Sequence, residues 1–316
     1  MTRRLPGPTD AVLAVSLVAA TAATGLRRYR GVAQMPVAAA SFASWIVLAA
    51  PLTVVAACVG RRPRVAAAAG AVTALAAWDR RRLVPSRPRG GPGAASMTVM
   101  QANLWLGRAD AAAIVDTVRT HAVNLLCVQE ITVDCRDALT RAGIGDLMPH
   151  RVVVAAPEGA GTGLWSRHPL SEPRKLSGFT LAAVAARMEL PSGGSVTVLS
   201  VHPMPPYPYA PELWLGELQR IRDAVDEVHG PVIVGGDLNA THDHAAFRDL
   251  LGDDLADAGA SSRSGPLPTY PAHKRWIPPL IGIDHVLLRG VRAERVRTVV
   301  LPGSDHRGLL AAVHLE

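Results

Sequence analysis

The sequence predicts an α/β domain preceded by an apolar, helix-forming membrane region. Three observations carry that expectation. Long apolar runs almost free of charge occupy the first third of the 316 residues. The remaining two thirds alternate short β-rich runs with amphipathic helical stretches. Asn, Glu, His and Asp recur where the β-rich runs end.

The membrane region comes first. Residues 31–60 hold no charged side chain, and the firmest span within them is 36–60. About 20 apolar residues suffice to cross a bilayer. The run 11–26 lies between Asp10 and Arg27, and the run 65–78 is short and rich in Ala. Snorkelling Arg stems can lengthen such spans. Three membrane helices are therefore expected within 1–82, at 11–26, 36–60 and 65–78, with two as the alternative. A signal peptide competes for the first run, with Arg3 and Arg4 as its basic start and the small residues 22–25 as a cleavage site. The long second span argues against a simple secreted product. Residues 83–96 are rich in Pro and Gly and read as a linker.

The net charge of +7 divides unevenly. Residues 1–96 hold 13 of the 33 basic residues and 2 of the 26 acidic ones, a formal +11, which leaves −4 for residues 97–316. The basic character thus belongs beside the apolar spans and gives no support to nucleic-acid binding by the rest. Three cysteines without a Cys-x-x-Cys pair exclude a disulfide scaffold and a zinc ribbon. The mean hydropathy of +0.19, with 49% apolar residues, excludes disorder as the main state.

Over residues 97–316 the expected strands are 97–104, 124–129, 151–155, 163–166, 181–190, 195–201, 232–236, 283–288, 295–300 and 309–313. The expected helices are 109–121 and 212–228, the second with Leu213, Leu218, Ile221 and Val225 on one face. Strands 181–190 and 195–201 flank Pro-Ser-Gly-Gly and read as a hairpin.

Polar residues then stand at strand ends. Asn103 follows Met-Gln-Ala, Glu130 follows Leu-Leu-Cys-Val-Gln, and His202 follows Val-Leu-Ser-Val. Asp237 and Asn239 follow Val-Ile-Val-Gly-Gly, Asp284 follows Ile-Gly-Ile, and Asp305 and His306 precede the last strand. One such residue is usually a turn former or cap. Six such points in one domain indicate groups that pair, bind metal or do chemistry, because they are costly to bury otherwise. His242 and His244 read as loop and cap residues, His285 as a packing residue on the far face of its strand, and Cys127 as a core thiol. Trp105 and Trp165 read as packing.

The ordered set Gln-Ala-Asn-Leu, Val-Gln-Glu, Ser-Val-His-Pro, Gly-Gly-Asp-Leu-Asn-Ala, Ile-Asp-His-Val and Ser-Asp-His-Arg resembles the endonuclease/exonuclease/phosphatase superfamily. Residues 161–170, with Ser-Arg-His-Pro, resemble a further strand of it. The resemblance implies a DNase I-like four-layer α/β/β/α sandwich and a metal-dependent hydrolase of phosphate ester or anhydride bonds. It implies Mg²⁺ or Mn²⁺ on Glu130, with Asn103 and Asp305 completing the shell, in keeping with a preference for hard oxygen ligands. Asp284 and His306 correspond to an Asp–His pair, whose imidazole orients or deprotonates water or stabilises phosphoryl oxygens. Asp237 is the rival base, Asn239 positions it or the phosphate, and His202 binds a phosphoryl oxygen.

Three functions remain in view: a lipid phosphohydrolase, a membrane-tethered endonuclease or exonuclease, and a binding module. The complete set of motifs disfavours the module, and the −4 charge disfavours the nuclease. In the apolar loop 270–283, Lys274 and Arg275 are expected to hold substrate phosphate, with Trp276, Ile277 and Leu280 toward lipid tails. The architecture further resembles the VanJ-type membrane phosphatases of actinomycetes, associated with teicoplanin resistance. That resemblance implies a multi-pass cell-membrane protein with an extracytoplasmic catalytic domain acting on a phosphorylated lipid such as undecaprenyl pyrophosphate. A plain count of Arg on either side of the spans favours the cytoplasm instead.

Overall fold

A computed structural model describes residues 7–81, 96–191 and 193–315. Five helices come first: α1 (Pro8–Leu26), α2 (Gln34–Ala40), α3 (Ala43–Val47), α4 (Ala49–Val59) and α5 (Pro63–Arg81). Among them α1 alone is long and apolar enough to cross a membrane as a single helix. The expected span 36–60 is not one straight helix. It breaks at residues 41–42, and α2 leaves the axis of Ala43–Val59 at 61°. The break follows from packing: Val37 and Ala40 are buried, and Val37 joins the apolar cluster around Trp214. The expected span 65–78 lies inside α5, whose Ala-rich sequence and terminal charges leave it too weakly apolar to qualify alone. The expected linker lies outside the described residues except for Ser96, which begins the first strand.

From Ser96 onward the elements are β1 (Ser96–Asn103), α6 (Ala111–Thr120), β2 (Leu125–Gln129), α7 (Val133–Arg141), α8 (Ile144–Leu147), β3 (His150–Val154), β4 (Thr162–Ser166) and β5 (Leu170–Lys175). They continue as β6 (Val184–Glu189), β7 (Ser195–Val201), α9 (Pro211–Asp226), β8 (Val232–Asp237), α10 (Ala245–Leu251), β9 (Ala256–Asp257), α11 (Ala258–Ser261), β10 (Asp284–Arg289), β11 (Val291–Val300) and β12 (Arg307–Leu315). Two six-stranded sheets result, ordered β11-β12-β1-β2-β4-β3 and β5-β6-β7-β8-β10-β9. Asp110 caps α6 by accepting from the backbone N–H of Ala112 and Ala113, which satisfies donors that a helix start leaves free.

The strand period of two builds the layers. Met97, Val99, Leu125 and Cys127 of one sheet face Val198, Ile233, Val286 and Leu288 of the other. Their alternates, Met100, Ala102, Leu126 and Val128, face outward onto α6 and α7. On the second sheet Leu199, Val232, Val234 and Leu287 face outward onto α9 and α10. The four layers are therefore helix, sheet, sheet, helix. Gly235 and Gly236 let β8 pass close to its neighbours: a Cβ on the first would lie 2.6 Å from the Cys127 sulfur, and on the second 2.3 Å from the Val201 carbonyl oxygen.

Candidate active site

The same period places the site. On β1 the inward face reads Met97, Val99, Gln101, Asn103, so apolar residues give way to polar ones toward one end. On β2 it reads Leu125, Cys127, Gln129; on β7 and beyond, Val196, Val198, Ser200, His202; on β8, Ile233, Gly235, Asp237. β10 starts at Asp284, paired with Asp237. The space between the sheets thus changes from apolar to polar at a single rim, and buried polar groups there must satisfy one another.

Most of them do so in a connected network, while Gln101 Oε1, His202 Nδ1 and Asp305 Oδ1 are left without a hydrogen-bond partner. The Gln101 amide donates to Gln129 Oε1 at 2.7 Å and to Asp284 Oδ1 at 2.7 Å. Gln129 donates to Ser200 Oγ at 3.0 Å, and Ser200 to the Val128 carbonyl at 3.2 Å. Asp284 Oδ2 then holds His306 Nδ1 at 2.8 Å. His306 Nε2 faces Asp237 Oδ2 at 3.6 Å, and His202 Nε2 faces the same oxygen at 3.7 Å. Asp237 Oδ1 accepts from the Asn239 backbone N–H at 2.9 Å. The Asn239 side chain donates to the Pro203 carbonyl at 3.0 Å and so ties the two loops together.

Asn103 bridges to the acidic side. Its NH₂ donates to Glu130 Oε1 at 2.9 Å and to Asp237 Oδ2 at 3.0 Å, while its oxygen accepts from the Trp105 backbone. As oriented, Asn103 therefore meets Glu130 through its nitrogen. Glu130 also accepts from the Leu106 N–H at 2.7 Å. Glu130 and Asn239 both adopt left-handed backbone, at φ 59° and 49°. Such strain concentrates at functional sites.

The charges interact strongly. Burial opposes the His306 imidazolium, but the Asp284 and Asp237 carboxylates outweigh it and raise His306 to about 10. Burial and the Asp284 charge raise Asp237. Burial would also raise Asp284, yet the charge and hydrogen bond of His306 bring it below its ordinary value. Burial and Glu130 raise Asp305, although His306 partly offsets them.

Glu130 and Asp305 offer the hard oxygen donors that a divalent cation prefers. Asp305 Oδ1 is buried without a hydrogen-bond partner, and the neighbouring Glu130 carboxylate disfavours its charge. Gly159 leaves space there, since a Cβ would come within 3.1 Å of Glu130 Oε2. Asp237, Asp284 and His306 also lie close enough together to hold an ion, but His306 Nδ1 is already engaged by Asp284. A second group, His242, Asp257 and His285, lies behind the site. There His285 contacts two acceptors, Asp257 Oδ2 at 2.8 Å and the Ala240 carbonyl at 2.9 Å. Both its nitrogens then carry protons, which leaves no lone pair for a metal.

Lys274 and Arg275 stand apart from the cluster. Both are exposed, and the Arg275 guanidinium lies over the Trp276 ring at 5.2 Å. Among the described residues no polar contact joins either to the other site residues. The loop reaches the site instead through His273, stacked 5.2 Å from Trp105, and through Tyr270, 4.9 Å from His306. The site residues that sequence reasoning passed over are Gln101, Gln129, Tyr270 and His273. For the two glutamines the signal was available, as polar residues on an otherwise apolar strand face.

An Asp-held imidazole, a second His, a carboxylate between them and the nearby Glu130 and Asp305 carboxylates form a site suited to metal-assisted phosphate-ester chemistry. Residues 100–306 match the sequence profile of the Endonuclease/Exonuclease/phosphatase family, and the chain belongs to that family. A UPF0294 protein of Vibrio cholerae is 28% identical over 134 residues, covering 42% of this chain and 45% of that protein. The chain therefore matches less than half the length of that curated relative. Among solved structures, an endonuclease/exonuclease/phosphatase from Beutenbergia cavernae superposes with a TM-score of 0.54 at 20% identity, covering 70% of this chain and 72% of that one. A mannosyl-6-phosphatase of Bacteroides thetaiotaomicron gives 0.55 at 13%, covering 69% and 99%. The D. rerio TDP2 complex with single strand DNA product gives 0.56 at 14%, covering 70% and 99%. These likenesses establish the fold.

Proposed function

We propose that this chain is a membrane-anchored, Mg²⁺- or Mn²⁺-dependent phosphatase of a lipid phosphate or pyrophosphate, undecaprenyl pyrophosphate being one such substrate. The observation that carries the reading is the docking of the apolar helical region directly onto the catalytic domain. Arg27, just beyond α1, is buried against Asp243 at 2.9 Å, in the loop that follows Asn239. His244 Nε2 meets the Val37 carbonyl at 3.0 Å, and the Ser44 N–H donates to Asp243 at 2.7 Å. An enzyme fixed in this way to apolar helices works where lipid phosphates are concentrated. α1 is one span, and the bent α2–α4 segment and α5 are the further ones of a multi-pass anchor, with the catalytic domain outside the cytoplasm.

A cation would be held by Glu130 and Asp305, where it would supply charge neutralisation at the phosphoryl group. His306 Nε2 faces the Asp237 carboxylate, which keeps a proton on that nitrogen. His306 and His202 thus act as donors to phosphoryl oxygens. Asp237, fixed by the Asn239 N–H, accepts the proton of the attacking water. Asp284 sets the His306 ring, and the glutamine network sets Asp284.

The test is phosphate release by the full-length protein with and without Mg²⁺ or Mn²⁺. Undecaprenyl pyrophosphate in vesicles, phosphoinositides, sphingomyelin and plasmid DNA are compared side by side. Metal-dependent release from the vesicle-borne pyrophosphate supports the reading. DNA cleavage without lipid turnover sinks it in favour of a tethered nuclease.

A further inference from the structure

The helical region has two distinguishable ends. At one, Arg62 between α4 and α5 pairs with Asp10 in the first turn of α1. At the other, Arg28 beyond α1 pairs with Asp79 near the end of α5 at 2.7 Å. The catalytic domain docks at this second end, through Arg27–Asp243 and Arg30–Asp249. Here the α2–α3 bend does something the anchor alone does not require. Gln34 in α2 donates to the Pro208 and Tyr209 carbonyls at 2.7 and 2.8 Å. Trp45 in α3 donates its indole N–H to the Leu280 carbonyl at 2.8 Å.

Those carbonyls belong to the two loops that frame the catalytic centre. Loop 202–210 starts at His202, and its Pro203 carbonyl holds Asn239. Loop 270–283 starts with Tyr270 beside His306 and ends just before Asp284, the first residue of β10. Both loops expose large side chains: Tyr207, Tyr209 and Ile277 are exposed, and Trp276 is 85% exposed. Trp45 and Phe42 of the bend are exposed as well, and apolar exposure continues along α4 at Leu52 and Val55. Trp and Tyr at the end of an apolar helix, where charges begin, match the chemistry of a bilayer–water boundary.

We propose that the α2–α3 bend and the two loops form one membrane-seated collar around the catalytic mouth, with the lipid interface as its occupant. The bend closes the third side and holds both loops at the level where α1 and α4 leave the apolar phase. A phosphate on a membrane lipid then reaches His202, Asp237 and His306 without leaving the bilayer surface. This deepens the lipid-phosphate reading, and its test reads contact with lipid instead of turnover.

The experiment uses the full-length protein carrying Cys58→Ser, since Cys127 and Cys135 are buried. Single cysteines are introduced by Trp276→Cys, Tyr209→Cys and Glu294→Cys, labelled with a small fluorophore, and reconstituted in phosphatidylglycerol–phosphatidylcholine vesicles. Glu294 is exposed on β11 at the opposite end of the sandwich from Asn103. Lipids spin-labelled just below the headgroup should quench positions 276 and 209 several-fold more than position 294. Adding Trp45→Phe, which removes the bond to Leu280, should reduce quenching at 276 more than at 209. Equal quenching at all three positions overturns the collar. Strong quenching at 276 and 209 with no hydrolysis of any lipid phosphate upholds the collar and overturns the substrate reading.

Discussion

Gln101 shows how a single strand position binds the two sheets into one reactive unit. Its amide joins Gln129 on its own sheet to Asp284 on the other, and Asp284 holds His306. Asp284→Asn and His306→Ala should each lower kcat by about 10²–10⁴, the range usual for acid–base groups. The double variant should lose little more than the worse single, because the two residues act as a unit; additive losses in single-turnover assays would show that they are not paired. Behind them, His285 and Asp257 form a buried ion pair. Burial opposes the His285 charge, yet the hydrogen bond and charge of Asp257 raise it above its ordinary value. Burial likewise opposes the Asp257 charge, but His242 and His285 hold that carboxyl far below its ordinary range. The His285 contribution is complete below the unfolded value of about 6.5 and is lost as pH rises through the higher folded value. The Asp257 contribution is complete above about 3.9 and is lost as pH falls through its depressed folded value. The Tm difference between the protein and its His285→Gln variant should therefore be largest between about pH 4 and 6.5 and shrink above that window. A difference that grows toward pH 9 would exclude this assignment. The residues that end strands in a polar side chain were legible in sequence because they interrupt an apolar run. Gln101 and Gln129 lay in the same motifs, and their signal, a polar residue on an otherwise apolar strand face, was passed over. What distinguishes them is the face they occupy, which the period of two reveals once each strand's register is fixed.

Elements were legible where their pattern was strong. The expected strand cores and the two long helices of the catalytic domain all occur, within a few residues at each end. The short helices α7, α8, α10 and α11 and the strands β5 and β9 were not anticipated. α10 has few residues with which to show a period, and β5 is largely exposed, so it carries no apolar alternation. The break in the second apolar run was hidden for another reason: its cause lies on a different element. Val37 turns toward Trp214 on α9, and Asp243 and His244 after β8 meet Arg27, Ser44 and the Val37 carbonyl. No window along the sequence contains both partners. The buried Arg27–Asp243 pair gives this docking a measurable consequence. Arg27→Ala leaves the carboxylate without its partner and should cost about 3–5 kcal/mol. The Arg27→Met, Asp243→Asn double variant removes both charges while keeping an acceptor for the Ser44 N–H, and should recover most of that loss. Thermal unfolding in detergent reads both. If Arg27→Ala melts with the unaltered protein, the helical region is not docked in this way.

At the scale of the whole molecule the charge split and the docking bear on one question, the choice of phosphate ester. A nuclease gains affinity by neutralising DNA phosphates, and six to ten such contacts lose about 10³–10⁵ in affinity between 50 and 200 mM salt. Here the net positive charge, a formal +11, lies before residue 97, while residues 97–316 carry a formal −4. Of the basic residues nearest the domain, Arg27, Arg28 and Arg30 are committed to Asp243, Asp79 and Asp249. Arg27 and Arg30 hold the domain to the helices and Arg28 joins α1 to α5, so none of the three is free to track a polynucleotide. The full-length protein in vesicles should thus hydrolyse a lipid phosphate far faster than DNA, with a rate that changes by no more than about twofold across that salt range, since a substrate held by its tail does not depend on counterion release. Removing residues 1–82 should lower activity on the vesicle-borne lipid by at least about tenfold, as expected when a substrate is no longer co-localised with its enzyme. The same truncation strips Tyr29 and Val37 from the apolar cluster around Trp214 and takes Arg27 from Asp243, so the shortened protein should also melt at a lower temperature. Activity on a short water-soluble phosphate ester, measured well below that temperature, separates the two effects, because it requires the site but no bilayer. DNA cleavage that survives the truncation and collapses between 50 and 200 mM salt, with lipid phosphate untouched, would overturn the choice of substrate and leave the metal site standing.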